Sequence, residues 1–362
     1  MAETVIEWVR GSAGDLGYTF NPWIGCEHVS RACDHCYAEF DAPARVRRAK
    51  GHETWGPHAK RSRTSEANWR LPLRWSRRAA SKAIRQRVFC ASQADWLDNK
   101  VPIEWLVDLL DLIRRTEHLD WLLLSKRAGN WARRIEEARL RSVDQGRAEL
   151  AEWLANWQAD EPPKNVWLGA TIADQEEADR DIVKLLRCPA AVRFVSMEPL
   201  LGAVDLRGYC PSSAILGGGG ARLIDLLDWV IVGGESGRYA RPCHPDWVRS
   251  LRDQCAEAHV PFFFKQWGEW HTAAYRVTDG VAIFRQFTDY QHWVAKAPSW
   301  VRGGICLDKY GRELRIGADF MRARDECSFP VTVMHRVGKA AAGRLLDGVL
   351  HEASPSVAKE AC

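Results

Sequence analysis

Six short runs of continuous apolar residues punctuate the first 270 positions: 87–91 (RVFCA), 121–124 (WLLL), 166–170 (VWLGA), 192–195 (VRFV), 229–232 (WVIV) and 261–264 (PFFF). A weaker run, 18–23, precedes them. Hydrophobicity that is continuous rather than alternating marks parallel strands buried on both faces. Between the runs the apolar spacing turns helical. Pro102 opens a helix over 102–118, with Trp105, Leu106, Leu109, Leu110 and Ile113 on one face. Asp174 caps 175–187, with Glu177 three residues on and Pro189 just past the end. Pro245 opens 244–259 in the same way, and a helix over 37–50 ends at Gly51. Strands alternating with helices imply parallel pairing through right-handed crossovers. Six or seven such units within 1–270 predict an α/β fold, a (β/α) barrel of TIM type, partial or full, with a doubly wound open sheet as the alternative.

Two regions break this rhythm. Residues 131–163 are long, charged and helical, an insertion in the third crossover, and the glycine run 217–220 reads as a flexible loop before the sixth unit. From 271 the pattern changes to short strands with turn signals at Asp279-Gly280 and Tyr310-Gly311, ending in a helix near 338–346. A C-terminal appendage over 271–350 and a disordered tail over 351–362 are expected.

At 362 residues and 46% hydrophobic, the chain can bury one large core plus appendages. Its eleven cysteines are neither dense nor regularly paired, which argues against a disulfide scaffold. Residues 1–17 hold Glu3 and Glu7 and no apolar run, so no signal peptide is expected, and no stretch reaches the length of a membrane span. The expectation is a cytoplasmic protein with no membrane partner, in a reducing setting where clustered cysteines hold metal more often than they form disulfides. The 18 tryptophans read mostly as packing.

Charge is distributed unevenly. From Arg45 to Arg87 there are 14 Lys or Arg against Glu53 and Glu66, leaving 37 basic against 45 acidic residues elsewhere. With Trp55, Trp69 and Trp75 among them, this stretch can track a phosphate backbone while its indoles stack on bases. A solvated face that does nothing but stay wet explains it about equally well.

Barrels and open sheets place their chemistry at the C-terminal strand ends. Here those ends carry Ser92 and Asp95; Ser125, Lys126 and Arg127; Thr171 and Asp174; Ser196 and Glu198; Gly233, Gly234, Glu235 and Ser236; Lys265 and Gln266. A cap, a turn or an ion pair explains any one of them. Six consecutive tips with ionisable or hydroxyl groups favour a site.

The strongest local signal is NPWIGCEHVSRACDHCYAE, which sets Cys26, Cys33 and Cys36 in a C-x6-C-x2-C arrangement between the first strand and a helix. Thiolates three positions apart can turn toward the same metal or cluster, and the third closes a tripod. His28 and His35 in the same loop allow a closed Cys3His zinc knuckle instead. A loop at the barrel mouth suits an open site better, so an iron–sulfur cluster is preferred over zinc. Cys90 and Cys188 read as small apolar core residues.

Together with LLLSKR, LGATIADQEEADRDI, VRFVSMEPLLG, DWVIVGGESGRYARPCHPDW, FFFKQWGEW and VGKAAAGRLLDG, this loop resembles the uncharacterised phage-borne three-cysteine-motif protein family. That family is similar to radical S-adenosylmethionine enzymes. The resemblance implies a [4Fe-4S] cluster on Cys26, Cys33 and Cys36, shielded by Trp23 and Tyr37, with the methionine end of S-adenosylmethionine on the fourth iron. It also implies that Lys126 or Arg127 takes the cofactor carboxylate, Thr171 the ribose hydroxyls, and Glu198 or Glu235 the ammonium or a ribose. Ser125 lies among these contacts. The superfamily spacing is C-x3-C-x2-C, and its Gly-Gly-Glu follows the second strand, where Ser92 and Asp95 stand here to receive the ammonium. Lys265, with Glu198, would act on an anionic substrate, and the electron would come from a flavodoxin or ferredoxin. Two other readings are a zinc-stabilised nucleic-acid-binding protein and a barrel hydrolase or lyase using Glu198, Glu235 and Lys126 as acid and base.

Overall fold

The computed structural model describes residues 3–11, 15–210, 220–275, 282–284, 286–297 and 304–355. Seven parallel strands form its main sheet: β1 (Tyr18–Thr19), β2 (Gln86–Cys90), β3 (Leu119–Ser125), β4 (Val166–Thr171), β5 (Val192–Met197), β6 (Trp229–Gly233) and β7 (Phe262–Gln266). They pair in chain order, Tyr18 opposite Val88, Val88 opposite Trp121, Leu123 opposite Leu168 and so on across the sheet. An unbroken order with no reversal rules out the doubly wound alternative, whose strands change direction of addition at a switch point.

The sheet is strongly curved. On a flat sheet β2 and β6 would lie roughly 19 Å apart, four spacings of about 4.8 Å. Yet the Trp8 ring is 4.8 Å from Phe89 on β2 and 6.2 Å from Trp229 on β6. Trp8 fills the concave side together with Leu122, Trp167, Phe194, Ile231 and Phe263, while Val88, Trp121, Leu123, Val195, Val230 and Phe264 face the helices on the convex side. The two faces of each strand are thus both buried, which is why the runs lack a polar alternation.

The described residues form a half-barrel and do not close into a full one. Among the described residues β1 and β7 are not paired, and no eighth unit follows β7. Instead each edge is covered by a short antiparallel piece: Glu3 bridges Tyr18, and Glu352 bridges Phe263 with Phe264 N–H donating to the His351 carbonyl. Such caps satisfy edge groups that closure would otherwise satisfy. Residues 351–355, expected in the disordered tail, therefore form part of the fold, with Trp229 Nε1 donating to the Ala353 carbonyl at 2.8 Å. Residues 356–362 lie outside the described residues.

The helices around the sheet include α1 (Ala42–Ala49), α2 (Leu71–Ser81), α3 (Ile103–Arg114), α4 (Trp131–Asp144), α5 (Ala148–Gln158) and α6 (Pro245–Glu257). The expected 37–50 helix breaks after a single turn, Tyr37–Phe40, because Asp41 is extended and caps α1 from its own side chain. The 131–163 insertion is the pair α4 and α5. The expected 175–187 helix starts on its Asp174 cap but carries a π-helical turn over Ala178–Ile182. Of the glycine run only Gly220 lies within the described residues, and the Asp279-Gly280 turn lies outside them.

Beyond β7 the chain builds a five-stranded antiparallel sheet whose central Val331–Arg336 strand pairs with Trp270–His271, Gln286–Phe287 and Gly304–Leu307. The expected helix near 338–346 is a correction. Only Lys339–Ala342 is helical, and Leu345–Leu346 pairs with Val349–Leu350 as a hairpin. Asp347 and Gly348 turn it with φ of 52° and 80°, the Asp-Gly chemistry of a two-residue turn. No helix among the described residues is long and apolar enough to cross a membrane.

Candidate functional site

The cysteine loop begins where β1 ends. Trp23–Ile24 pairs antiparallel with Ser62–Arg63, and Gly25 N–H donates to the Gln93 carbonyl. Gly25 has φ +114°, and a Cβ there would sit 2.3 Å from the Thr54 carbonyl oxygen, so the approach of the 54–56 strip excludes a side chain. That strip donates back through Gly56 N–H to the Cys26 carbonyl at 2.9 Å. Ser30 caps the short Arg31–Cys33 turn, and Cys36 N–H donates to the Cys33 carbonyl, setting the second and third thiols on consecutive turns.

Six long-range contacts then tie the loop across the strand tips. Arg127, after β3, donates to Cys26 Sγ at 3.4 Å and to the Glu27 carbonyl at 3.2 Å. Asp174, after β4, accepts from Arg31 at 3.3 Å. Glu235, after β6, accepts two side-chain hydrogen bonds from Arg241 at 2.7 and 2.8 Å and one from the Arg241 amide. Arg241 in turn donates to Asp34 Oδ2 at 2.7 Å and to the Arg31 carbonyl, while His35 meets Glu235 at 3.3 Å. One carboxylate and one guanidinium thus clamp the middle of the loop to β6.

The predicted tip residues separate into two groups. Asp95 is buried and fully engaged: Ser125 Oγ and the Leu97 amide donate to one oxygen, the Lys126 amide and Arg127 to the other. Ser92 exchanges hydrogen bonds with Asn21, and its carbonyl accepts from the Tyr37 hydroxyl at 3.0 Å. Asp95, Ser125, Ser92 and Glu235 therefore hold other residues in place: each Asp95 oxygen already accepts two hydrogen bonds, while Glu235 Oε1 accepts one, from Arg241. The second group holds no part of the loop through a side-chain hydrogen bond: half-buried Lys126, buried Thr171 and the half-buried pair Glu198–Lys265, whose Nζ–Oε2 distance is 2.5 Å. Gly233 and Gly234 make room for this arrangement. A Cβ at Gly233 would lie 3.1–3.2 Å from the Glu198 side chain, and one at Gly234 would lie 1.9 Å from the Trp267 carbonyl.

Charge around the thiols is positive. Burial pushes the Cys26 and Cys36 thiols up, opposed at Cys26 by Arg127 and at Cys36 by Lys126. Burial alone would draw the Lys126 ammonium down, but Cys33, Cys36, Cys26 and Asp95 together hold it above its ordinary value. Lys126 Nζ makes no hydrogen bond or ion pair among the described residues, so its three donors are uncommitted. Trp23 is fully buried beside the loop, and Tyr37 lies half-exposed over it. Cys90 and Cys188 are buried in the core.

Among the described residues no three His, Cys, Asp or Glu side chains gather around a point that could hold a single metal ion. His28 Nε2 is bonded to Asp34 at 2.6 Å and His35 Nδ1 meets Glu235 at 3.3 Å, so each ring keeps its other nitrogen, and a Cys3His zinc shell would need only one of them. A cluster spreads its thiolate ligands over a cube rather than around one ion. Three thiols on one loop, facing a lysine and an arginine, fit that donor chemistry.

The clamp has a pH signature. Burial raises the Glu235 carboxyl, but the Arg241 hydrogen bonds outweigh it and hold the group below the usual carboxylate range. A carboxyl depressed in the folded state stabilises above its unfolded value of about 4.3, and loses that contribution as pH falls through the folded value. Glu235→Gln is expected to cost about 2 kcal/mol at neutral pH, with the gap closing below about pH 4. Urea midpoints across pH check this, and a gap constant with pH would show that the charge does not matter.

The basic stretch from Arg45 to Arg87 departs from expectation. Trp69 and Trp75 are buried, Trp75 stacked on Tyr18 at 4.2 Å and 1°, so neither indole can stack on a base. Arg61 is buried against Asp98, and Arg87 lies on the concave face over Trp167 and Trp229, where burial draws its guanidinium down to about 10. Arg61 and Arg241 were not legible as site residues, although Arg241 stands only six positions past Glu235.

Against known sequences, the profile of the family described as Protein of unknown function (DUF5131) matches residues 3–355. No curated protein and no solved structure matches the chain.

Proposed function

The chain belongs to that family, and from its own geometry we propose that it is a radical S-adenosylmethionine-type iron–sulfur enzyme. Cys26, Cys33 and Cys36 would hold a [4Fe-4S] cluster, and S-adenosylmethionine would lie across the tips of β3 to β7. The observation that carries this reading is the three-cysteine loop tied over the C-terminal edge of an in-order parallel half-barrel, with the uncommitted Lys126 ammonium facing all three thiols. Bound there and reduced, such a cluster would supply one electron for reductive cleavage of the cofactor's sulfonium, the source of hydrogen-abstracting radical chemistry.

The protein's part is to bind, orient and exclude water. Lys126 offers three donors to the cofactor carboxylate. Thr171 is buried at the β4 tip and offers its hydroxyl to the ribose. Glu198 and Lys265 stand together at the far tips, so one of them can receive the cofactor's ammonium or an anionic substrate only as their ion pair opens. Asp95, through Ser125 and Arg127, fixes the direction from which Lys126 approaches. Glu235 and Arg241 position the loop and touch no cofactor. A flavodoxin or ferredoxin would supply the electron.

Reduced, reconstituted protein is expected to release 5′-deoxyadenosine and methionine slowly without substrate. Lys126→Met should weaken cofactor binding by about tenfold or more, the loss of a hydrogen-bonded charge, with iron content unchanged. A cluster-loaded, reduced protein that neither binds nor cleaves the cofactor would overturn the reading. Unchanged affinity in Lys126→Met would remove Lys126 from it.

A further inference from the structure

We propose that the outward face of α2 is a docking surface for a nucleic acid backbone, leading it to the mouth of the half-barrel. From Ala67 through Ala94 the chain contains no acidic residue. Arg70, Arg74, Arg77 and Lys82 are all exposed, and none makes a side-chain hydrogen bond or ion pair among the described residues. Arg78 beside them meets the exposed Glu3, at 3.4 Å, and the Tyr18 hydroxyl. At 100° per residue the four unpaired cations fall within an arc of about 140°, and they span about 18 Å of helix axis. That is the length of about five steps of a nucleic acid strand at 3.4 Å each.

The face is rigid, because Pro72, Ser76 and Ala79 on the opposite side are buried, and Trp75 on the flank is buried and stacks on Tyr18. Its Arg70 end is joined to the site. Asn68 Nδ2 donates to the Asn21 carbonyl at 3.0 Å, and Asn21 Nδ2 donates to Ser92 Oγ at 3.0 Å. A strand lying along α2 therefore arrives at the tip of β2.

The chemistry of the face selects its partner. No large hydrophobic residue between 66 and 86 is exposed. A helix that binds a membrane surface needs an apolar face in the lipid, and a protein interface needs apolar or aromatic anchors. A row of cations without either suits phosphates, and with Trp69 and Trp75 buried the contact is to backbone rather than to bases.

Binding of fluorescein-labelled DNA and RNA, single-stranded and duplex, about 20 nucleotides long, is read by anisotropy on the full chain from about 20 to 200 mM salt. Four phosphate contacts predict a log–log salt slope of about −3. Arg70→Ser, Arg74→Ser, Arg77→Ser and Lys82→Ser combined should weaken binding at low salt at least tenfold and flatten the slope, with an unchanged melting temperature. Arg315→Ser, Arg322→Ser and Arg324→Ser combined, on the C-terminal sheet's helix and turn, should leave binding unchanged. No binding at the lowest salt, equal binding by the α2 variant, or stronger competition by phosphatidylserine vesicles or polyglutamate than by oligonucleotide would each overturn the proposal. The DNA and RNA arms identify the source of the phosphates. The measurement does not depend on iron content, so its failure is separate from failure of the cluster reading.

Discussion

Protein reconstituted without oxygen is expected to carry about four irons and four sulfides per chain, and Cys26→Ala, Cys33→Ala or Cys36→Ala should each remove them. The effect is all-or-none because a tripod of thiolates has no spare ligand. The remaining cysteines described, Cys90, Cys188, Cys210, Cys243, Cys255, Cys306 and Cys327, are buried in the core or, for Cys327, exposed on the C-terminal sheet's far turn, and none joins the loop. The charge-transfer absorption of the brown protein reports the cluster directly, and urea midpoints separate loss of ligand from loss of fold. Stoichiometric zinc without iron, from cells given ample iron, would sink the cluster and leave a structural knuckle. Retention of full iron by Cys33→Ala would show that the tripod is misassigned.

What could be read from the sequence, and what could not, follows the range of each interaction. The strands were legible because continuous apolar runs are a local property, and β2 to β7 fall within two or three residues of the runs. Whether the sheet closes was not, because that depends on Trp8 reaching across to Phe89 and Trp229, contacts no periodicity encodes. The stretch KAAAGRLL has helical composition, and the Asp347-Gly348 dipeptide that follows it, a two-residue turn signal, is what makes its end a hairpin. At the site the thiols were legible from spacing alone. Asp95 and Glu235 were legible as tip residues, but not as ones already occupied. Their partners Arg127 and Arg241 also reach the loop, at Cys26 and Asp34, and those contacts span 101 and 207 residues. A buried carboxylate near a cysteine loop looks the same in sequence whether it binds a ligand or holds its neighbour.

The second large effect is expected at a pair that sequence alone does not mark. Arg61 Nε donates to Asp98 Oδ2 at 2.7 Å, and both side chains are wholly excluded from solvent. Arg61 Nη1 also donates to the carbonyls of Thr54, Gly56 and Ala59. This fastens the strip whose Gly56 holds the Cys26 carbonyl. On the other side Asp98 accepts from the Lys100 amide and donates its own amide to the Asp95 carbonyl, in the turn that orients Ser125, Lys126 and Arg127. One ion pair thus joins the two halves of the site. Arg61→Met leaves a carboxylate buried without its cation, which costs about 3–5 kcal/mol. Removing both charges, in Arg61→Met with Asp98→Leu, should recover part of that loss, because an apolar pair carries no desolvation penalty. Iron retention should not recover with it, since the carbonyls of the 54–59 strip still lack their donor. Urea midpoints and iron content of the two single variants and the double variant test both halves of the argument. A midpoint shift under about 1 kcal/mol in Arg61→Met would mean that water reaches Asp98 and the pair is not dry. Full iron in the double variant would mean that the strip holds Cys26 without help from Arg61.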